Sequence, residues 1–406
     1  MVDGGRREEV TVDVEVADRP PFEPVPCQPL ETTARIRRDD RRRVMVDTIH
    51  DGDVVPPAFL VDHLGNEIDR EDYFESFVRE RDWGASMIAR KLAERLGLDC
   101  YHRVTISRVL LDFGRFPGST SRGADFMERY AINDPFSELL GPTQKRRLLG
   151  EYYDRISDEM ELAIRGKRIK IAVHTYDRTS PSGAVRPEMS VITRSRGVER
   201  GHQGARDVFD ELYPQVLGDF TADPVLRDRI SLTLQKQHIF VEPNYPYSLP
   251  EGSVEVRSQV WFFFDELRRR FQDARPDTVD HLEYQLVWRT LLDTNLRLAE
   301  CEAFRSYLRS FRRADGGTEQ LFRRAADAHA EIGDFLRRDQ GRIIREYRDS
   351  PERLNSILIE VRKDRVWELD ENGVPRSPVE SFAERVGDAV AEAVHTYLEH
   401  DRPAFW

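Results

Sequence analysis

The chain has 406 residues, of which 39% are hydrophobic, so it can bury a substantial core in one to three domains. Its formal net charge of −12 argues against nucleic-acid binding over the whole surface. The three cysteines form no CxxC pair, which argues against a disulfide framework or a thiolate zinc site. The chain has neither an apolar signal segment nor an apolar stretch of roughly 18 residues. We therefore expect a soluble, cytoplasmic protein whose partners include neither membrane nor nucleic acid.

Residues 1–42 are rich in charge and proline, and we predict a surface arm rather than a domain. The first part of an α/β core then follows over residues 43–253. It begins with an apolar strand that ends near His50. A long helical pattern comes next, with Asp82 in its middle and Gly97 as a left-handed cap.

A second strand is predicted near residues 102–112, a helix over 142–165, and a third strand at IKIAVH, which ends at His174. Further strands are predicted at 186–193 and 236–242. An alternation of strands and helices in this order is typical of a mostly parallel sheet.

Strand patterns disappear over residues 254–349, which we interpret as a large helical insertion. The core resumes over residues 350–406 with a last strand and a C-terminal helix. The predicted fold class is therefore α/β, with a mostly parallel mixed sheet flanked by helices and interrupted by that insertion.

Several apolar runs end at residues that can bind a metal or move a proton. These residues are His50, Asp112 with Arg115, His174 and Glu360. Because an open α/β sheet binds ligands at the carboxyl ends of its strands, these endings predict one shared site.

A catalytic zinc ion needs three protein ligands and one open position, and His50, Asp82 and His174 can supply the ligands. The HExxH sequence of many zinc hydrolases is absent. Each residue also has a structural alternative: His50 could bond a neighbouring aspartate, and Asp82 could pair with Arg79 or Arg81. Two imidazoles and a carboxylate also suit other divalent metals.

Glu360 lies inside the apolar run ILIEVRKD, where a strand buried on both faces normally carries apolar residues. It either forms a salt bridge with Arg362 or carries protons beside the metal. The pattern alone leaves both interpretations open.

Seven short segments, taken in order, resemble the N-formylglutamate amidohydrolase family. They are TIHDG (48–52), DWGA (82–85), SRVLLDFGR (107–115), VHTYD (173–177), RPEMSV (186–191), NYPYS (244–248) and IEVRKD (359–364). The resemblance implies a zinc-carboxypeptidase-like α/β fold and hydrolysis of the formyl amide of an N-formyl amino acid.

By this resemblance, His50, Asp82 and His174 fall on the positions that hold one zinc ion per chain. Glu360 falls on the catalytic glutamate, and Arg108 is expected to stabilise the oxyanion. The implied substrate-binding residues, which would meet a substrate carboxylate, are Arg115, Arg186, Asn244 and Arg362. Gly114 stands where the family carries an asparagine.

The sequence thus predicts a metal-dependent amidohydrolase that releases formate or a small acyl group from an N-acyl amino acid or a related compound. One alternative is a peptidase or deacylase of peptides or specialised metabolites at the same site. Another is a noncatalytic protein that binds a partner through the helical insertion. The acyl group, the amine product and the oligomeric state stay open.

Overall fold

The computed structural model describes residues 13–30, 38–125, 128–180, 182–195, 208–310 and 318–400. No helix in these ranges combines the length and hydrophobicity needed to cross a membrane. The three cysteines are free thiols in the structure.

Within the described ranges, seven strands form the main sheet, and two short pairs of strands lie outside it. The strands are β1 (Glu15–Val16), β2 (Phe22–Pro26), β3 (Val44–Thr48), β4 (Val54–Val55), β5 (Cys100–Val104), β6 (Ile169–Tyr176), β7 (Met189–Ile192), β8 (Val241–Pro243), β9 (Asn355–Arg362), β10 (Trp367–Leu369) and β11 (Pro375–Pro378). The order across the main sheet is β2-β5-β3-β6-β9-β7-β8. The four central strands β5, β3, β6 and β9 are parallel, whereas β2 and β7 run antiparallel to their inner neighbours. This confirms the predicted mixed, mostly parallel sheet.

The predicted N-terminal arm contributes β2 to this sheet as an edge strand. β2 carries Pro24 and Pro26, and β8 at the opposite edge ends in Pro243. Proline lacks the N–H that a central strand must donate, so it is tolerated at sheet edges. The part of the arm before residue 13 lies outside the described residues.

Helices cover both faces of the sheet. They are α1 (Arg38–Arg41), α2 (Arg70–Glu80), α3 (Ala85–Leu96), α4 (Phe136–Leu139), α5 (Pro142–Leu148), α6 (Asp154–Ile164), α7 (Gln215–Gly218), α8 (Pro224–Lys236), α9 (Val254–Ala274), α10 (Leu282–Leu292), α11 (Ala299–Ser310), α12 (Glu319–Arg348), α13 (Lys363–Val366) and α14 (Glu380–His400). A π-helical turn at Leu149–Tyr153 joins α5 to α6.

The two faces of the central strands carry different side chains. On one face, Ile171 and Ile359 belong to an apolar core with α3, α8 and α14. On the other face, Ala172 and Leu358 pack with α9 to α12, the helices of the predicted insertion. Because successive side chains of a strand alternate, His174 and Glu360 point to the face that these helices cover.

Two sequence predictions near the site were wrong in detail. The helical pattern around Asp82 breaks into α2 and α3, and Gly84 at the break has φ = 90°. Asp82 therefore lies between two helices rather than in the middle of one. The second strand ends at Val104, and the apolar residues that follow are buried in turns. Gly97 does form the predicted left-handed cap.

A buried ionic group joins the sheet to α9. Lys170 Nζ lies 2.8 Å from Asp47 Oδ2 and 3.0 Å from Glu255 Oε1, and all three side chains are at most 1% exposed. Burial raises the pKa of Asp47 and so opposes its charged form, although Lys170 favours it. Among the described residues, Lys170 is thus the only cation that contacts Asp47 and Glu255.

Lys170→Met should destabilise the protein by roughly 3–5 kcal/mol, because it leaves Asp47 and Glu255 buried without their cation. Urea denaturation of the purified variant measures the change. Arg147→Met is the control, since Arg147 and Glu151 form an exposed pair on α5 and the adjoining π-turn. Equal midpoints for wild type and Lys170→Met would contradict the assignment.

Candidate metal centre

Four elements bring the candidate residues together. His174 on β6 and Glu360 on β9 are direct partners in the parallel register, and both are buried. His50 follows the end of β3 by two residues, and Asp82 lies in the break between α2 and α3. The backbone N–H of Asp82 donates to the His50 carbonyl over 3.0 Å, which ties that break to the end of β3.

The predicted ligands His50, Asp82 and His174 form one buried cluster that could hold a metal ion. The Nδ1 atoms of the two histidines lie 3.1 Å apart. Asp82 Oδ2 lies 2.9 Å from His174 Nδ1 and 3.6 Å from His50 Nδ1. Three donor atoms therefore make a small triangle in a site shielded from solvent.

The size of this triangle suits a small divalent ion. A tetrahedral ion with bonds of about 2.0–2.1 Å has its ligand atoms roughly 3.3 Å apart. The three edges fall on both sides of that value. Two imidazoles and one carboxylate form a common donor set for a catalytic ion, although the set does not identify the metal.

Asp112 orients His50 from behind. Its Oδ1 lies 2.8 Å from His50 Nε2 and accepts the backbone N–H of Gly114 over 2.9 Å. A carboxylate on the outer nitrogen of a histidine ligand fixes the ring and its tautomer. A Cβ at position 114 would lie 3.0 Å from His50 Nε2, so Gly114 leaves the room that this contact needs.

Arg108 lies between the two aspartates of the cluster. Its Nη1 donates to Asp82 Oδ1 over 3.2 Å and to the Glu80 carbonyl over 3.3 Å. Its Nε donates to Asp112 Oδ2 over 3.2 Å. One guanidinium thus orients a predicted ligand and the aspartate that supports another ligand.

Both aspartates are held in the charged form. Burial opposes ionisation of Asp82, but hydrogen bonds with His174 and His50 outweigh it and place the pKa of Asp82 well below its usual range. Burial also opposes ionisation of Asp112, whose pKa is nevertheless well below the usual range because of Arg108 and His50. Both carboxylates are therefore ready to act as anionic partners at neutral pH.

Glu360 behaves in the opposite way. Burial and the charge of Asp82 raise its pKa above the ordinary value, even though His174 and a hydrogen bond from Tyr247 favour the ionised form. The Tyr247 hydroxyl donates to Oε1, while the buried Oε2 has no hydrogen-bond partner among the described residues. A glutamate with a raised pKa and one unengaged oxygen is suited to exchanging protons.

His174 has a second nitrogen to satisfy. Its buried Nε2 has no hydrogen-bond partner among the residues that the structure describes. Burial disfavours the imidazolium, but Asp82 outweighs burial and raises the pKa of His174. A buried, unpaired polar atom is costly, so this atom marks a place for a water molecule or a ligand.

The four predicted substrate-binding residues occupy different surroundings. Arg115 is buried, and its Nε lies 3.9 Å from Asp112 Oδ2. Arg362 makes two bonds with Asp364, of 2.8 and 2.7 Å. Arg186 donates to the Asp177 carbonyl over 3.2 Å, and the side-chain oxygen of Asn244 accepts the backbone N–H groups of residues 193 and 194.

The observed contacts differ from the salt bridges and hydrogen bonds that the sequence leaves open as structural alternatives. Glu360 bonds Tyr247 rather than Arg362. Arg81 pairs with Asp51, and His50 bonds Asp112 rather than its neighbour Asp51. Sequence reasoning did not single out Tyr247, although it lies in NYPYS, one of the seven segments.

No family model matches the chain, and no curated protein sequence matches it. Among solved structures, the chain is similar to an N-formylglutamate amidohydrolase from Ralstonia eutropha, with 15% identity, coverage of 93% of this chain and 98% of that chain, and a TM-score of 0.45. It is also similar to a gene product from Agrobacterium tumefaciens, with 13% identity, coverage of 94% and 95%, and a TM-score of 0.42. Similarity at this level does not transfer an activity.

We expect the purified protein to bind about one divalent ion per chain, because the three donor atoms form one compact triangle. His50→Ala and His174→Ala should each lose most of the metal. Asp112→Asn should weaken binding by roughly 10- to 100-fold, since it removes the carboxylate that orients His50. Elemental analysis and competition with a chelator measure both effects, and full occupancy in the two histidine variants would exclude this ligand set.

Proposed function

We propose that the chain is a metal-dependent amide hydrolase that removes a formyl or other small acyl group from an N-acyl amino acid or a related compound. The seven sequence segments resemble the N-formylglutamate amidohydrolase family. The proposal therefore includes the zinc-carboxypeptidase-like fold that this resemblance implies. The observation that carries it is the ligand triangle of His50, Asp82 and His174 beside a buried glutamate with a raised pKa.

His50, Asp82 and His174 would hold the ion, which we propose to be zinc at one per chain. A divalent ion bound there would acidify a water molecule and polarise the amide carbonyl. Asp112 would keep the His50 ring in place, and Arg108 would do the same for Asp82.

Glu360 would accept a proton from the attacking water and pass it to the departing amine. Its place directly opposite His174 in the β6–β9 register puts it next to the ligand triangle. Its raised pKa brings the carboxylate closer to the pH at which it can both accept and return a proton. The Tyr247 hydroxyl holds one oxygen, which leaves the other for this exchange.

Arg108 would stabilise the negative charge that develops on the amide oxygen. A guanidinium has five N–H donors, and three of those of Arg108 are used by Asp82, Asp112 and the Glu80 carbonyl. Among the described residues no acceptor bonds its Nη2, whose N–H groups can meet the oxyanion. Because these contacts orient the group beforehand, it needs no rearrangement during the reaction.

Arg115 is the best placed of the predicted substrate-binding arginines. It is buried, and its Nε lies 3.9 Å from Oδ2 of Asp112, the residue that bonds His50. We therefore propose that Arg115 binds the substrate carboxylate, for which a guanidinium provides a matching pair of donors.

One observation favours the second candidate function, a deacylase or peptidase with a larger substrate. A cleft of about 570 Å³ is lined by α2, the β10–β11 hairpin, Asp177 and Lys363. Asp177 and Lys363 directly follow β6 and β9, so the cleft lies at the end of the strands that carry His174 and Glu360. Turnover of N-formylglutamate compared with N-formyl and N-acetyl peptides separates the two candidates.

Glu360→Gln should fold and keep its metal but lose roughly a hundredfold or more of its amide hydrolysis, since the amide cannot accept the proton. Formate release from N-formyl amino acids measures the activity. Glu371→Gln, in the exposed turn of the β10–β11 hairpin, is the control and should behave as wild type. Near-normal turnover of Glu360→Gln would move the role of the base elsewhere, with Asp112 as the next candidate.

Tyr247→Phe should move the acidic limb of the pH–rate profile to higher pH. The base must be ionised to act, and the Tyr247 hydrogen bond favours that form by lowering the pKa of Glu360. Its removal therefore raises the pH at which activity is lost on acidification. Tyr245→Phe, at an exposed position in the same segment, should leave the profile unchanged. An unshifted limb in Tyr247→Phe would show that another group controls it.

A further inference from the structure

We propose that Arg257, in the first turn of α9, is a positioning residue that holds residues 112–116 in place and thereby orients His50 for metal binding. We call residues 112–116 the support loop, because they include Asp112 and Arg115. This role rests on the proposed function for its effect on catalysis, whereas its effect on metal affinity does not depend on that function.

Arg257 holds the support loop at two backbone carbonyls. Its side chain is buried, and Nη2 donates to the Phe113 carbonyl over 3.0 Å. Its Nη1 donates to the Tyr153 hydroxyl over 2.7 Å, and that hydroxyl donates to the Arg115 carbonyl over 2.8 Å. Nη1 also donates to the side-chain oxygen of Asn295, which follows α10 and anchors the guanidinium from the helical side.

Gly252, two residues before α9, makes a third contact with the same loop. A Cβ at Gly252 would lie 2.8 Å from the backbone nitrogen of Phe116 and 3.3 Å from the carbonyl carbon of Arg115. The backbone at Gly252 therefore packs directly against the end of the support loop. The first turn of α9 and the segment before it thus meet the loop at residues 113, 115 and 116.

The other end of the support loop carries the contact that matters for the metal centre. Asp112 lies next to Phe113, and its Oδ1 is 2.8 Å from His50 Nε2. The Phe113 carbonyl and the Gly114 N–H belong to one peptide group, and that N–H donates to Asp112 Oδ1 over 2.9 Å. A rotation of this peptide would remove that bond, and the Asp112 carboxylate would be freer to move away from the His50 ring. The orientation of His50 thus depends on α9 through two residues.

The charge of Arg257 favours this role over simple packing. The described acceptors of its guanidinium are the Phe113 carbonyl, the Tyr153 hydroxyl and the Asn295 amide oxygen, all of which are neutral. Burying a cation without a carboxylate is costly, and the faces of Phe113 and Tyr153, at 4.8 and 5.5 Å, offset only part of that cost. Leucine or methionine would fill the same space without the charge. The property of arginine that matters here is therefore its rigid guanidinium, which holds several N–H donors in a fixed geometry.

The test compares Arg257→Met with Arg305→Met in the full chain. Arg305 is the matched control, because it is also a buried arginine of the helical region that donates to backbone carbonyls, at residues 290 and 293. Zn²⁺ affinity is measured by competition with a chelator, and the urea midpoint is measured for each variant. We expect Arg257→Met to weaken Zn²⁺ binding about tenfold, the low end of the range for groups that support a ligand. Arg305→Met should change it less than twofold even where its midpoint falls.

Two further measurements keep the inference testable if Arg257→Met does not fold. Tyr153→Phe removes only the relay to the Arg115 carbonyl, and it should weaken Zn²⁺ binding in the same direction. Arg257→Ala leaves a space beside a cavity of about 40 Å³ that Phe113 and Asn295 line. Millimolar guanidinium chloride, but not sodium chloride at the same ionic strength, should restore Zn²⁺ affinity to this variant.

The outcomes separate the inference from the proposed function. Unchanged Zn²⁺ affinity in both Arg257→Met and Tyr153→Phe, or an equal loss in Arg305→Met, would overturn the positioning role. The wild-type protein could bind Zn²⁺ more tightly than Arg257→Met and yet hydrolyse no N-acyl amino acid or peptide. That result would support the positioning role and refute the proposed function.

Discussion

The register between β6 and β9 is the constraint on which the rest of the site depends. In that register His174 faces Glu360, and the preceding pairs place Val173 beside Ile359 and Ile171 beside Ile357. The second set lies in the core under α3, α8 and α14, which fixes the face that each strand presents there. If the register slipped by one residue, the side chains of one strand would move to the opposite face of the sheet. Either His174 or Glu360 would then lie in that apolar core. The packing of one face of the sheet thus determines the chemistry of the other.

The site face also concentrates charge in a way that packing alone does not require. Asp82, Asp112 and Glu360 are all buried there, and of these three carboxylates Arg108 bonds the two aspartates. Apolar residues of similar volume would stabilise such a region equally well or better, because every buried ion loses its hydration. Clustered carboxylates whose pKa values are driven in opposite directions are typical of sites that bind a cation or move a proton. The two ionised aspartates are suited to the first task, and the glutamate with a raised pKa is suited to the second.

The sequence predicted the parts of this site that local patterns control. His50, His174 and Glu360 follow from apolar runs, since the strands that carry them are continuous in sequence. The sequence predicts a helix through Asp82 because the spacing on both sides of it is helical, whereas in the structure the turn at Gly84 separates α2 from α3. The sequence predicts a strand for the residues after Val104, because a short apolar run has no period that distinguishes a strand from a buried turn. Tyr247 and Arg257 could not be found in this way, because their roles depend on partners 113 and 144 residues away in the chain.

The helices that follow residue 254 show the same limit of a sequence pattern. The change from strands to helices there is abrupt, and it suggests a unit added to a finished core. Yet the first turn of α9 sends Glu255 to Lys170 in the sheet and Arg257 to the loop that carries Asp112. Ala172 and Leu358, on the strands that hold His174 and Glu360, lie in one apolar cluster with α9 to α12. A helix that pairs with a buried lysine of the central sheet and holds the loop behind a predicted metal ligand belongs to the core in its packing. The buried charges that cross the predicted boundary at residue 254 thus connect these helices to the sheet and to the proposed site.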